Sequence, residues 1–396
     1  MREGSTLCGQ AGAPAVLALE DGTVFHGRAF GATGTVSAEV CFNTSMTGYQ
    51  EILSDPSYHG QMVAMTAPHI GNTGIVDADD QSRRPWVGGL IVRDACAVHS
   101  SWRAEGSLAD LLRRHGVPGI SEVDTRRLTR HLRAAGAMRG ALSSEGHAAD
   151  ELVDLARATP GLEGRDLAGE VGTQVPYRWG LEELTARAPG GKRPALALAN
   201  GPRLRIAALD FGVKRNMLDL LVACGCDVTV LPGATEATEV LDGGFDGVFM
   251  SNGPGDPEPL GYAIDAARQL LGRMPLFGIC LGHQILALAA GATTYKLKFG
   301  HRGGNHPVAR RGRAQVEITC QNHGFAVDAR SLEGGEAAVT HTNLNDATVE
   351  GLEIPGAAFG VQYHPEAGPG PNDSRYLFAE FRKLIREFEP RELATT

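Results

Sequence analysis

The chain has 396 residues, 42% of them hydrophobic and 21% charged, a composition suited to two or three globular domains that bury their own cores. With 37 Lys and Arg against 46 Asp and Glu, the formal net charge is −9, which argues against broad nucleic-acid binding. Seven irregularly spaced cysteines and no run of 18 apolar residues exclude a secreted disulfide scaffold and a membrane-spanning helix, so a reducing, cytoplasmic location is expected.

Residues 1–14 lack the apolar core of a signal peptide and read as a disordered extension. From Ala15 to Arg28 two apolar runs flank Asp21-Gly22, the pattern of a β-hairpin. Short strands are expected at Glu39–Phe42, Gln61–Met65 and Gly89–Val92. Helices are expected at Ser107–His115 and Asp124–Ala135, each opening on a capping residue. Residues 15–184 therefore predict a mixed α+β domain. The stretch 185–202 is rich in Ala, Pro and Gly and reads as a linker.

From 203 to 396 strands and helices alternate. Apolar strands at Leu204–Leu209, Asp227–Leu231, Gly247–Met250 and Leu276–Ile279 are separated by helices at Asn216–Ala223, near Tyr262–Leu271 and at Gly282–Ala290, with a weak helix after Leu231. Strands that are continuously apolar have both faces covered, so this half predicts a doubly wound, mostly parallel α/β domain. It closes with a strand at Ala357–Tyr363 and an amphipathic helix at Arg375–Phe388.

Three motifs in this half carry chemistry. In Phe277-Gly278-Ile279-Cys280-Leu281-Gly282-His283-Gln284 a strand runs into Gly-x-Cys-x-Gly and a helix leaves it. This is a nucleophile elbow with Cys in place of Ser. The helix N-terminus favours the thiolate, and the Leu281 amide is placed as an oxyanion donor. The other six cysteines read as small apolar residues. Second, Val361-Gln362-Tyr363-His364-Pro365-Glu366 ends another strand. A Cys nucleophile needs a base, and the base needs an orienting acceptor; His364 and Glu366 fit both needs. Third, Met250-Ser251-Asn252-Gly253-Pro254-Gly255-Asp256-Pro257 follows a strand and offers backbone amides to an anion. It lacks Gly-Lys-Ser/Thr, so it is no P-loop, and a second oxyanion donor is the better reading.

In this order on this sheet, the motifs resemble the class I glutamine amidotransferases over about Arg203 to Glu389. The resemblance implies that Cys280 attacks the side-chain amide of L-glutamine, with His364 as acid and base and Glu366 as its orienter. Gly253 and Leu281 are the implied oxyanion amides. The N-terminal half carries Phe42-Asn43-Thr44-Ser45-Met46-Thr47-Gly48-Tyr49-Gln50-Glu51-Ile52, then Ser54-Asp55-Pro56-Ser57-Tyr58, Pro68-His69-Ile70-Gly71-Asn72 and Asp124-Thr125-Arg126. With Phe299-Gly300-His301-Arg302-Gly303-Gly304-Asn305-His306-Pro307, this set resembles the small subunits of carbamoyl-phosphate synthases from about Ala15 onwards.

That second resemblance implies a glutamine site of Ser45, Gly253, Gly255, Leu281, Gln284, Asn322, Gly324 and Phe325. It also implies a heterodimer with a large subunit that makes carbamoyl phosphate from bicarbonate, two ATP and the ammonia released here, for arginine and pyrimidine biosynthesis. ATP and Mg would then lie on the large subunit, with no cofactor in this chain and no nucleic-acid or membrane partner. Read from residues alone, Asn322 to Phe325 is equally a Gly-containing turn between strands. His301 and His306 lack a nearby carboxylate or Cys in sequence, so no metal site is expected. Arg126, Arg127, Arg130 and Arg133 read as a solvated basic face. Trp86 and Trp102 fit core packing and interface anchoring equally. A silent regulatory scaffold and a Cys hydrolase of another amide are the competing functions; the intact Cys280, His364 and Glu366 argue against the first, the N-terminal motifs against the second.

Overall fold

The computed structural model describes residues 12–187, 199–368 and 370–390. They form two compact units. One runs through Ser54 and resumes from Gly60 to Leu162; the other joins Asp55–His59 to the chain from Glu163 onwards. The sequence placed the division at 185–202. Residues 188–198 of that stretch, and 1–11 of the expected extension, lie outside the described residues. The chain from Glu163 joins the second unit because Tyr177–Trp179 pairs with that unit's sheet.

In the first unit the strands are β1 (Pro14–Leu19), β2 (Val24–Gly31), β3 (Thr35–Asn43), β4 (Gln61–Met65), β5 (His69–Ile70), β6 (Gly89–Ile91), β7 (Asp94–Ala95), β8 (Pro118–Ser121) and β9 (Met138–Ser143). The expected hairpin is β1 and β2. Its turn places Gly22 at φ +91°, a left-handed conformation that glycine adopts without strain. Seven strands close into a barrel in the order β1-β2-β8-β6-β4-β3-β9. The β3–β4, β4–β6 and β6–β8 pairs are parallel, which hairpin signals do not reveal. Ser107 caps the helix Leu108–Arg114 and Asp124 caps Thr125–Ala135, as expected. Leu128 and Leu132 face inward while Arg126, Arg127, Arg130 and Arg133 are exposed. Trp86 is buried and Trp102 is 79% exposed.

The second unit contains β10 (Tyr177–Trp179), β11 (Leu204–Asp210), β12 (Cys226–Pro232), β13 (Gly247–Met250), β14 (Leu276–Ile279), β15 (Thr294–Arg310), β16 (Val316–Val327), β17 (Ala338–Asn343), β18 (Val349–Ile354) and β19 (Ala358–Val361). They form one sheet in the order β10-β12-β11-β13-β14-β19-β18-β17-β15-β16. The five strands from β12 to β19 in that order are parallel, and the flanks are antiparallel. Side chains alternate between two cores. Ala207, Leu209, Val248, Met250 and Leu276 pack with helices Ala237–Asp242, Gly261–Leu270 and Leu281–Ala289. Ile206, Ala208, Phe249, Phe277 and Ile279 pack with helices Arg215–Ala223 and Tyr376–Glu387. Burial on both faces is the physical reason for the continuous apolar strands. Residues 322–325 are not a turn, since they lie within β16 and pair with β15.

Candidate active site

The sheet presents Cys280 at the carboxyl end of β14, where the helix Leu281–Ala289 begins. Cys280 has φ +54° and ψ −105°, a strained backbone for a residue with a Cβ. Both flanking glycines are sterically required. A Cβ on Gly278 would meet the Gly282 carbonyl oxygen at 2.5 Å, and one on Gly282 would meet the Met250 carbonyl oxygen at 2.2 Å. The Cys280 amide donates to the Val361 carbonyl at 2.8 Å, which ties the elbow to β19. The thiol is buried. Sγ lies 3.6 Å from the Asn322 carbonyl oxygen, and Gln362 Nε2 donates to it at 3.7 Å.

β19 leads directly to His364. His364 Nδ1 lies 2.7 Å from Glu366 Oε1, and both side chains are fully buried. Burial and the Lys214 ammonium push the imidazole down; Glu366 and hydrogen bonding, including to Cys280, outweigh them and hold it at about 10. Burial pushes the Glu366 carboxyl up, but Lys214 and His364 hold it down at about 2. An imidazole raised in this way keeps its proton near neutral pH and presents an imidazolium beside the sulfur.

The sequence reading missed Lys214. It is 1% exposed, and Nζ lies 2.5 Å from Glu366 Oε1 and 3.9 Å from Asp55 Oδ2. Asp55 in turn accepts from Asn322 Nδ2 at 3.0 Å, from Asn252 Nδ2 at 3.3 Å and from the Ser57 amide at 2.9 Å. Asn252 Nδ2 also donates to Ser57 Oγ at 2.9 Å. A lone Lys after a strand and an Asp-Pro-Ser turn some 160 residues earlier share no sequence pattern. Only the buried charge of Glu366, which demands a counter-ion, would have called for one.

The other expected residues fall as follows. A Cβ on Gly253 would meet the Phe211 carbonyl oxygen at 2.3 Å and Leu281 Cδ2 at 2.6 Å, so glycine lets that loop close against the elbow. Gly255 has φ +82° beside Leu167. Gln284 Nε2 donates to the Phe325 carbonyl at 2.7 Å and to Gln362 Oε1 at 2.9 Å. Asn322, Gly324 and Phe325 follow one another along β16. Ser45 belongs to the first unit, where its amide donates to Asn43 Oδ1 at 2.7 Å. The serine in the second unit's network is Ser57.

Residues 17–142 match the family model "Carbamoyl-phosphate synthase small chain, CPSase domain", and residues 207–384 match "Glutamine amidotransferase class-I". The chain is 55% identical over 377 residues to a carbamoyl phosphate synthase small chain of Syntrophotalea carbinolica, covering 94% of this chain and 98% of that one. It is 51% identical to the small chain of a Synechococcus species, covering 96% and 95%, and 50% identical to that of Rhodopirellula baltica, covering 94% and 96%. Both halves are matched in order and the relatives are spanned almost end to end, so the chain belongs to the carbamoyl-phosphate synthase small-chain family, with a class I glutamine amidotransferase domain.

Proposed function

We propose that this chain hydrolyses L-glutamine through Cys280, His364 and Glu366 and passes the ammonia to a large subunit. The observation that carries the reading is the buried His364–Glu366 pair at 2.7 Å beside a thiol held on a strained elbow. The proton shared by Cys280 and His364 resides on the imidazole, and the sulfur attacks the amide carbon of the substrate as the thiolate. The oxyanion is met by the amides of Gly253 and Leu281. Collapse breaks the C–N bond, and His364 returns its proton to the leaving ammonia. Water then attacks the thioester, giving its proton to His364, and glutamate leaves as the thiol re-forms. Glu366 keeps the imidazole oriented and stays ionised throughout.

Gly253, Gly255, Leu281, Gln284, Asn322, Gly324 and Phe325 line the glutamine site; Ser45 completes the set that the family resemblance implies. The large subunit holds ATP and Mg and joins the ammonia to bicarbonate to make carbamoyl phosphate for arginine and pyrimidine biosynthesis, in the cytoplasm. Enclosed passage has a physical reason: free ammonia in neutral water is mostly ammonium, which is no nucleophile. Among the described residues no helix is long and apolar enough to cross a membrane.

The test is glutamine hydrolysis by the purified chain, alone and with the large subunit under bicarbonate and ATP. Slow turnover alone and faster turnover in the complex are expected. Fast hydrolysis unchanged by the partner would count against coupling, and none in either state against the enzyme reading.

A further inference from the structure

The strand pair β15–β16 sets His301 opposite His323, and β18 brings Glu350 to them. Each of the three offers one ligand atom, and these atoms lie within 4.8 Å of one another. All three residues are buried: His301 is 6% exposed, His323 5% and Glu350 0%. His301 lacks a carboxylate neighbour in sequence; the fold supplies one 49 residues later.

The hydrogen bonds around the trio leave the right lone pairs free. His301 Nε2 lies 2.8 Å from Asp346 Oδ2, which fixes the N–H on Nε2 in the neutral ring. In that neutral form its Nδ1 is an acceptor; it is buried and lies 3.5 Å from Glu350 Oε1. His323 Nδ1 lies 2.8 Å from the Phe325 carbonyl oxygen, which spends the one N–H of a neutral imidazole. Its Nε2 therefore carries a lone pair, yet it stands 3.0 Å from Gln321 Oε1, another acceptor. Gln321 cannot simply turn over, because its Nε2 donates to Glu350 Oε2 at 2.9 Å and to Thr319 Oγ1 at 3.0 Å. Two lone pairs thus face each other, an arrangement that a cation relieves. Glu350 is held by Gln321 and by Asn343 Nδ2 at 2.7 Å. Arg302, the cation next to His301 in sequence, donates to the Phe299 carbonyl at 2.8 Å.

We propose that His301, His323 and Glu350 form a binding site for one divalent ion of the zinc class. Two imidazoles and one carboxylate are the donor set such an ion takes, with a fourth position left for water or for His306. The His306 ring centre is 5.2 Å from that of His301, and its Nδ1 is buried without a hydrogen bond. Asp346 and the Phe325 carbonyl act as the outer partners that hold each imidazole in the metal-binding tautomer. Ligands on a tetrahedral ion with bonds of about 2.0–2.1 Å stand roughly 3.3 Å apart, so the His301–Glu350 pair at 3.5 Å is already near that spacing, and the His323 ligand atom lies within 4.8 Å of both. Since His323 also holds the Phe325 carbonyl, the ion braces the β16 segment that carries Asn322, Gly324 and Phe325.

The whole chain, stripped with a chelator, is loaded with Zn²⁺ and desalted, and its metal content is measured. Co²⁺ loading is followed by the visible absorption of a four-coordinate site. One equivalent is expected in the wild type, and none after His301→Gln or Glu350→Gln. Asp346→Asn should weaken binding about 10–100-fold. Two controls remove other ligands: His69→Ala in the exposed trio His69, Asp94 and Cys96, and Cys280→Ala. The proposal is overturned if the wild type retains no metal, if His301→Gln retains as much, or if His69→Ala or Cys280→Ala abolishes retention. Should Glu350→Gln fail to fold, His301→Gln decides. A proton on His301 bridging Asp346 and Glu350 is the competing occupant, and it predicts the first of those outcomes.

Discussion

Lys214 Nζ lies 2.5 Å from Glu366 Oε1, the same oxygen that His364 Nδ1 approaches to 2.7 Å. The Glu366 carboxylate is therefore clamped between two cationic or potentially cationic groups, and all three side chains are almost fully buried. Removing Lys214 leaves Glu366 and Asp55 buried without their counter-ion. Breaking a buried pair of this kind costs about 3–5 kcal/mol. Lys214→Met is expected to lower the urea midpoint by a corresponding amount and to raise the Glu366 pKa. It should also slow glutamine turnover by loosening the orientation of His364. A variant with wild-type stability and turnover would show that the clamp contributes neither.

Cys280→Ala should abolish glutamine-driven synthesis in the complex while ammonia-driven synthesis continues. His364→Asn should reduce glutamine turnover by about 10²–10⁴-fold, the usual worth of general acid–base catalysis. Glu366→Gln should cost less, because an orienting residue transfers no proton. Steady-state assays on the three variants check the order. Finding Glu366→Gln worse than His364→Asn would reverse the assigned roles.

The pH dependence of stability has two opposite limbs. Glu366 is held at about 2 in the folded chain against an ordinary 4.5. Its contribution is present above the unfolded value and is lost as pH falls from 4.5 through 2. His364 is held at about 10 against 6.5, so its contribution is complete below 6.5 and is lost as pH rises through 10. Urea unfolding across this range should give a plateau between the two limbs. In Glu366→Gln both limbs should flatten, since each owes part of its shift to the pair. Unchanged limbs in that variant would assign the pH dependence to other groups.

Gly282→Ala tests the elbow itself. The added Cβ would sit 2.2 Å from the Met250 backbone oxygen, an atom that cannot swing away. Overpacking at such a point costs about 1–3 kcal/mol. Urea denaturation should show that loss, and glutamine turnover should fall with it as Cys280 is displaced. Full activity at unchanged stability would mean that the turn relaxes freely.

The sequence by itself determined the parallel core of the second unit, since strands buried on both faces must be continuously apolar, as Ile206–Leu209 and Leu276–Ile279 are. It also determined the elbow at Cys280, because two glycines around one Cys at a strand-to-helix switch leave a close backbone approach as their purpose. His364 and Glu366 were legible for the same local reason: two residues apart, they meet through their own turn. What lies across the fold was not legible. The parallel pairings that close the first unit's barrel join strands with no turn between them. Residues 322–325 look like a turn until β15 is seen to pair with them. Asp55 and Ser57 join the second unit although they sit in the middle of the first unit's sequence. Lys214 and Glu350 were invisible because a buried charge is defined by what surrounds it. Glu366 needs Lys214, and the imidazoles of His301 and His323 face Glu350, only once strands far apart in sequence are assembled into one sheet.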